Sequence, residues 1–219
     1  MKKILIGCEE SQAVTIEFRK LGFEAYSCDI LDQSGGYPEW HIKDSIFNVI
    51  NDKWDLLIAF PPCTDLAVSG ARHFERKRLD GSQDKSIKFF MDIINSPIDK
   101  IAVENPVGIM SKIYKKPDQI IQPYYFGDPF QKTTCLWLKN LPLLYHNKDI
   151  NLFDKVITHT DKGEFFEWID KKTNKKKRQP MWFYNALNNK NTGHIRSKTF
   201  NGIAKAMANQ WGNFLNNNI

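Results

Sequence analysis

No apolar run in this chain approaches the roughly 18 residues that a membrane-spanning helix needs, which argues against an integral membrane role. Cysteine is scarce. Four residues, at 8, 28, 63 and 135, stand singly, and none of the paired C-x-x-C spacings used by zinc sites occurs. A metal site is therefore not expected. The basic then apolar start, Met-Lys-Lys-Ile-Leu-Ile-Gly, is interrupted by Cys8, Glu9 and Glu10 too early for a signal peptide and reads as a first strand. The thiols are expected to be reduced and the protein cytoplasmic. Internal repeats are absent, and 219 residues leave no room for a second large domain. Glycine is thin where it would carry most meaning: Gly7 alone follows the first strand, where nucleotide-binding loops hold two or three.

What is present alternates. Strand-like apolar runs at residues 3–7, 24–28, 55–60 and 100–104 are separated by amphipathic stretches, the pattern of an α/β protein with a mostly parallel sheet flanked by helices. Residues 12–21 place Val14, Phe18 and Leu21 on one helical face closed by Gly22, and residues 82–95 turn Ile87, Phe90, Met91 and Ile94 inward. Residues 46–50 read as a short helix. Two strands are expected around Gly127, Asp128 and Pro129. A last helix over 203–215 aligns Ile203, Met207, Trp211 and Leu215. Cys8, Cys28 and Cys135 lie in or beside strands and read as small buried hydrophobes.

The formal charge of +6 is concentrated: Lys171, Lys172, Lys175, Lys176, Lys177 and Arg178 supply six positive charges within eight residues. Such a patch suits a polyanion, most simply nucleic acid, or serves as a solvated loop. The aromatic segments 164–169 and 180–184 flank the run, as two strands flank a hairpin tip.

Two strand ends carry the chemistry. Pro61, Pro62 and Cys63 follow the run 55–60, so that two prolines stop the strand and present a thiol at the mouth of a polar loop. Glu104 and Asn105, ahead of Pro106, end the next apolar strand. Together these two motifs resemble those of the DNA cytosine-5 methyltransferases. Amine-methylating enzymes share a paired-proline loop but follow it with an aromatic residue, where this chain has Cys63. The resemblance implies a Rossmann-like fold, S-adenosylmethionine as cofactor and a covalent mechanism. Cys63 would add to carbon 6 of cytosine, Glu104 would assist at ring nitrogen 3, and Asn105 would hold the turn or the base.

The resemblance covers roughly residues 3–140 and 195–215 and implies further roles. Gly7, Cys8 and Glu9 occupy the place of the cofactor loop, and Pro61 lies beside it. Asp29 with Ile30, about 20 residues on, would meet the adenosine and its ribose. Asp44 would lie beside the adenine amino group or help cap the helix after it. The stretch from Tyr125 to Thr134 and the closing stretch from Ile195 to Phe200 match in position, with Lys132 standing where the family carries arginines. Ser69, Arg72 and Lys132, together with Lys175, Lys176, Lys177 and Arg178, would contact nucleic acid, and the basic loop after Cys63 would close over a flipped base. Residues 1–140 and 195–219 would form the catalytic core, and 141–194 a small basic and aromatic insertion in place of the family's large target-recognition domain. That compactness suits a phage-type member. DNA is the expected partner; an RNA cytosine methyltransferase and a non-catalytic binding module on the same fold are the alternatives.

Overall fold

A computed structural model describes residues 1–146, 160–187 and 199–217. Its centre is a seven-stranded sheet of β1 (Lys3–Gly7), β2 (Glu24–Asp29), β3 (His41–Lys43), β4 (Leu56–Ala59), β5 (Ile101–Pro106), β6 (Gln119–Ile121) and β7 (Thr134–Lys139). The strand order is β3-β2-β1-β4-β5-β7-β6. The first five pair in parallel, and β7 runs antiparallel to both β5 and β6. The fold is thus α/β with a mostly parallel sheet, compatible with a Rossmann-like arrangement.

Strands covered on both faces must be apolar throughout, and every residue of β4, Leu-Leu-Ile-Ala, is buried. The alternation of side chains divides the core. Ile4, Ile6, Leu56 and Ile58 pack with Val14 and Phe18 of α1 (Ala13–Lys20) and with the C-terminal helical segment. On the other face, Leu5, Leu57 and Ala59 meet Phe90 and Ile93 of α4 (Ser82–Ile94) and Ile46 of α2 (Ile46–Val49). Ser45 caps α2 by accepting from the Phe47 N–H. Leu21 departs from expectation: it lies just past α1 and is exposed, because the chain turns there toward Gly22 at φ 83°.

The C-terminal segment runs from α7 (Asn201–Ala206) through a π-helical turn, Met207–Trp211, into α8 (Gly212–Asn217). Ile203, Met207, Trp211 and Leu215 are all buried. A spacing of four drifts off the face of an ideal helix with 3.6 residues per turn, and the wider π turn brings the series back into line.

Two expected strands are differently built. Residues 123–126 form a 3-10 turn, since Pro123 begins it and Gly127, at φ 94°, ends it; the strand before β7 is β6 instead. Beyond the sheet, β8 (Phe165–Ile169) pairs with β9 (Lys176–Pro180), so the lysine run is divided: Lys171, Lys172 and Lys175 lie in the hairpin tip, as expected, and Lys176, Lys177 and Arg178 belong to the second strand. Residues 181–184 belong to a helix, α6 (Met181–Leu187), because Pro180 cannot continue the ladder. Phe166 stacks on Tyr184 of α6, with ring centroids 3.9 Å apart, and on Trp168, so these aromatics pack the hairpin.

Candidate active site

In an open sheet of this order, ligands bind outside the carboxyl ends of the strands where neighbouring connections diverge. That point lies between β1 and β4. Gly7 ends β1, Asp29 ends β2, Phe60 and Pro61 follow β4, and Glu104 and Asn105 lie near the end of β5, all on one edge.

The Pro61–Cys63 turn is held from two sides. The β4–β5 register pairs Ala59 with Val103, so Pro61 lies across from Asn105 two steps further on. Asn105 is buried and its Nδ2 donates to the Pro61 carbonyl at 3.0 Å. A carbonyl only accepts, which fixes the amide orientation and leaves Asn105 Oδ1 as a buried acceptor without a partner among the described residues. The half-buried Cys63 accepts at its carbonyl from the N–H groups of Leu66 (3.0 Å) and Ala67 (2.9 Å). The next residues pair with the loop between β5 and α5 (Met110–Ile113): the Ile109 N–H donates to Leu66 O (2.9 Å) and the Val68 N–H to Val107 O (3.0 Å). A Cβ on Gly108 would lie 2.3 Å from Leu66 O, so this close approach of two backbones requires glycine. The loop bearing Cys63 is thereby joined to the loop that follows β5, the strand bearing Glu104.

Glu104 and Lys132 line one recess with Phe60, Thr134, Thr199, Phe200, Ile203 and Met207. Cys63 is not part of its wall. Burial pushes the Glu104 carboxyl above its usual range, and the nearby Lys132 ammonium partly offsets the rise. The C-terminal segment closes this side: the Gly202 N–H donates to Asp128 Oδ2 at 2.7 Å, and a Cβ on Gly202 would lie 2.2 Å from Phe126 O. Of the closing stretch from Ile195 to Phe200, residues 195–198 lie outside the described residues.

On the β1–β2–β3 side, the loop manages without further glycines. Cys8 and Gln12 both adopt left-handed backbone, φ 58° and 57°, which costs a residue with a Cβ about 1–2 kcal/mol. The Cys8 N–H donates to Cys28 O (2.7 Å), and the fully buried Gln12 side chain bonds Tyr37 through both its oxygen and its nitrogen. Gly7 leaves room for Ile46, whose Cδ1 would lie 2.1 Å from a Cβ there. Glu9 is buried, and its carboxylate is engaged by α1, accepting from the Val14 N–H (2.7 Å) and from the Thr15 N–H (3.3 Å) and hydroxyl (2.8 Å). Asp29 accepts from the Leu31 N–H (3.0 Å), and the adjacent Ile30 is 72% exposed. Asp44 is exposed and braces α2 through Ser45 and Asn48.

The expected nucleic-acid contacts fall on two surfaces apart from Lys132. Ser69 and Arg72 sit exposed on a 3-10 turn, Val68–His73, with Arg72 Nε donating to His73 Nε2 (2.9 Å). The loop after Cys63 is therefore built structure, continuing into α3 (Phe74–Leu79). Lys175, Lys176, Lys177 and Arg178 line the hairpin. Lys176 pairs with Glu167 (2.6 Å) and Lys177 with Asp170, while Arg178 lies 4.9 Å above the Phe165 ring. The hairpin unit reaches the recess, since Trp182 Nε1 donates to Gln131 O (3.1 Å) and the Trp182 ring meets Phe200 edge-on.

Sequence reasoning missed Lys77 and Asp65, while Thr199 and Phe200 were expected only as part of the closing stretch. Lys77, flanked by Arg76 and Arg78, looks like any solvated base, yet it is 5% exposed. The spacing of three from Phe74 was the available signal for a shared inward face. Among the described residues, no group of three or more His, Cys, Asp or Glu side chains could hold a metal, and no helix is long and apolar enough to cross a membrane. No protein-family model and no curated protein matches the chain.

Proposed function

We propose that this chain is a DNA cytosine-5 methyltransferase that uses S-adenosylmethionine. The observation that carries the reading is the joining, on one edge of a mostly parallel sheet, of a thiol after β4 and a half-buried acid near the end of β5, through Asn105 and the Leu66–Ile109 backbone bond. Carbon 5 of cytosine is a weak nucleophile. The Cys63 thiolate adds to carbon 6, forming a sulfur–carbon bond and pushing the ring electrons toward nitrogen 3. Glu104, whose carboxyl is raised above its usual range by burial, donates a hydrogen bond or a proton to that nitrogen as charge develops. Carbon 5 then takes the methyl group, and loss of its proton to solvent expels the Cys63 thiolate. S-adenosylmethionine, when bound, supplies the electrophilic methyl group. The residues at the other strand ends fit such a group: exposed Ile30 offers an apolar face for a purine, Asp29 beside it an acceptor for ribose hydroxyls, and the left-handed turn at Cys8 a close backbone approach.

Asn105 positions the Pro61 turn and holds an acceptor, unpartnered among the described residues, close to the same strand ends. The hairpin, with seven Lys and Arg against four Asp and Glu over residues 160–187, supports a nucleic-acid partner beside the recess. Methyl transfer from labelled S-adenosylmethionine to duplex DNA and to transfer RNA in parallel tests the assignment. Label in carbon 5 of DNA cytosine is expected. Label only in RNA would move the substrate to the alternative class, and label in neither would leave a non-catalytic module.

A further inference from the structure

We propose that Lys77 is a positioning residue for the Cys63 thiol; this rests on Cys63 as the nucleophile of the reaction above. Lysine is seldom buried unless it is paired. Here the Lys77 ammonium donates to the Thr64 carbonyl, in the second peptide group after Cys63, and lies 3.0 Å from Asp65 Oδ1. Asp65 is in turn held by α4: its Oδ2 accepts from the Ser86 hydroxyl (2.9 Å) and its carbonyl from Gln83 Nε2 (3.0 Å). Gly70 packs over the ammonium, with its would-be Cβ 3.6 Å from Nζ and 3.3 Å from Thr64 O. The two residues after the thiol are thus tied to α3 by one buried cation and to α4 by the groups of Asp65.

Such a pair adds little stability of itself, because desolvation offsets the attraction, and an apolar residue of similar volume serves packing as well. What an apolar residue does not supply is a directional donor to the Thr64 carbonyl. Together with the Asn105 bond to Pro61, the Lys77 bond fixes the peptide groups that flank the segment Pro62 to Thr64, with Cys63 at its middle. Displacement of a reacting group by about 1 Å costs on the order of 100-fold in rate, so this strap acts on the chemistry more than on the fold.

The test compares wild type with Lys77→Met by two readouts. One is the rate at which iodoacetamide alkylates Cys63, resolved by peptide mass, with buried Cys28 and Cys135 as internal reporters of global opening. The other is the rate of covalent adduct formation with DNA containing 5-fluorocytosine. A freed loop exposes the thiol while misplacing it: alkylation of Cys63 rises about tenfold with Cys28 and Cys135 still protected, and adduct formation slows about 100-fold. Any other pattern overturns the proposal, including a lowered melting temperature with both rates unchanged. Should Lys77→Met not fold, Ser86→Ala cuts the far end of the same strap, and both rates are expected to move in the same directions by about threefold. If wild type forms no adduct, the methyltransferase reading fails on its own account, and the alkylation rates alone decide whether Lys77 restrains Cys63.

Discussion

Replacing Glu9 with glutamine is expected to change how stability depends on pH more than stability itself. In the folded chain three donors at the start of α1 favour the Glu9 carboxylate, while complete burial disfavours its charge. Burial wins, raising the carboxyl from 4.5 to about 7. The folded state then keeps a proton that the unfolded chain has lost, so the stability this group contributes is fully present below pH 4.5 and is lost as pH rises to about 7. A rise of that size corresponds to about 3 kcal/mol. The glutamine variant retains an acceptor for the Val14 N–H and offers Thr15 Oγ a donor, but has nothing to titrate. Urea unfolding of both proteins between pH 4 and pH 8 measures the difference. Glu9→Gln should gain on wild type by about 3 kcal/mol across that window, with the two curves parallel on either side. Curves parallel throughout would refute the claim that Glu9 is buried with a proton it must release.

Glu104→Gln should slow adduct formation by about 100-fold and change how the rate depends on pH; a variant with the wild-type rate and the wild-type pH profile would contradict the acid role. Asn105→Ala breaks the bond to Pro61 O yet removes a lone buried acceptor, so chemical denaturation should register a loss of only about 1 kcal/mol, while adduct yield drops well beyond what that loss explains. For the hairpin, Lys171, Lys172 and Lys175 have no ion-pair partner among the described residues, whereas Lys176 and Lys177 have Glu167 and Asp170. Changing those three to alanine should lower the slope of log affinity for duplex DNA against log salt by about 3; an unchanged slope makes the run a solubility feature.

Sheet strands buried on both faces were legible because nothing but an unbroken apolar run can fill them, as in residues 56–59. Pro61 and Pro62 declared a strand end and Gly22 a helix end for equally local reasons. Other features depend on what touches what. The loop after β1 lacks glycines, and only the tertiary bonds of Cys8 to Cys28 and Gln12 to Tyr37 hold its left-handed turns. The aromatic stretch 181–184 has strand-like composition, but Pro180 and packing of Tyr184 on Phe166 make it a helix. Lys77 is chemically the same as its neighbours, and its burial follows from where Asp65 and Thr64 come to lie.

The central claim is that Cys63 and Glu104 form a cytosine-activating pair. Incubation with S-adenosylmethionine and DNA carrying 5-fluorocytosine tests it most directly, because fluorine blocks the final elimination and traps the enzyme on the base. Intact mass should show wild type joined to the oligonucleotide and methylated at carbon 5, with Cys63→Ser giving no adduct while binding the cofactor unchanged. An adduct that persists in Cys63→Ser, or none in wild type under conditions where the cofactor binds, would contradict it.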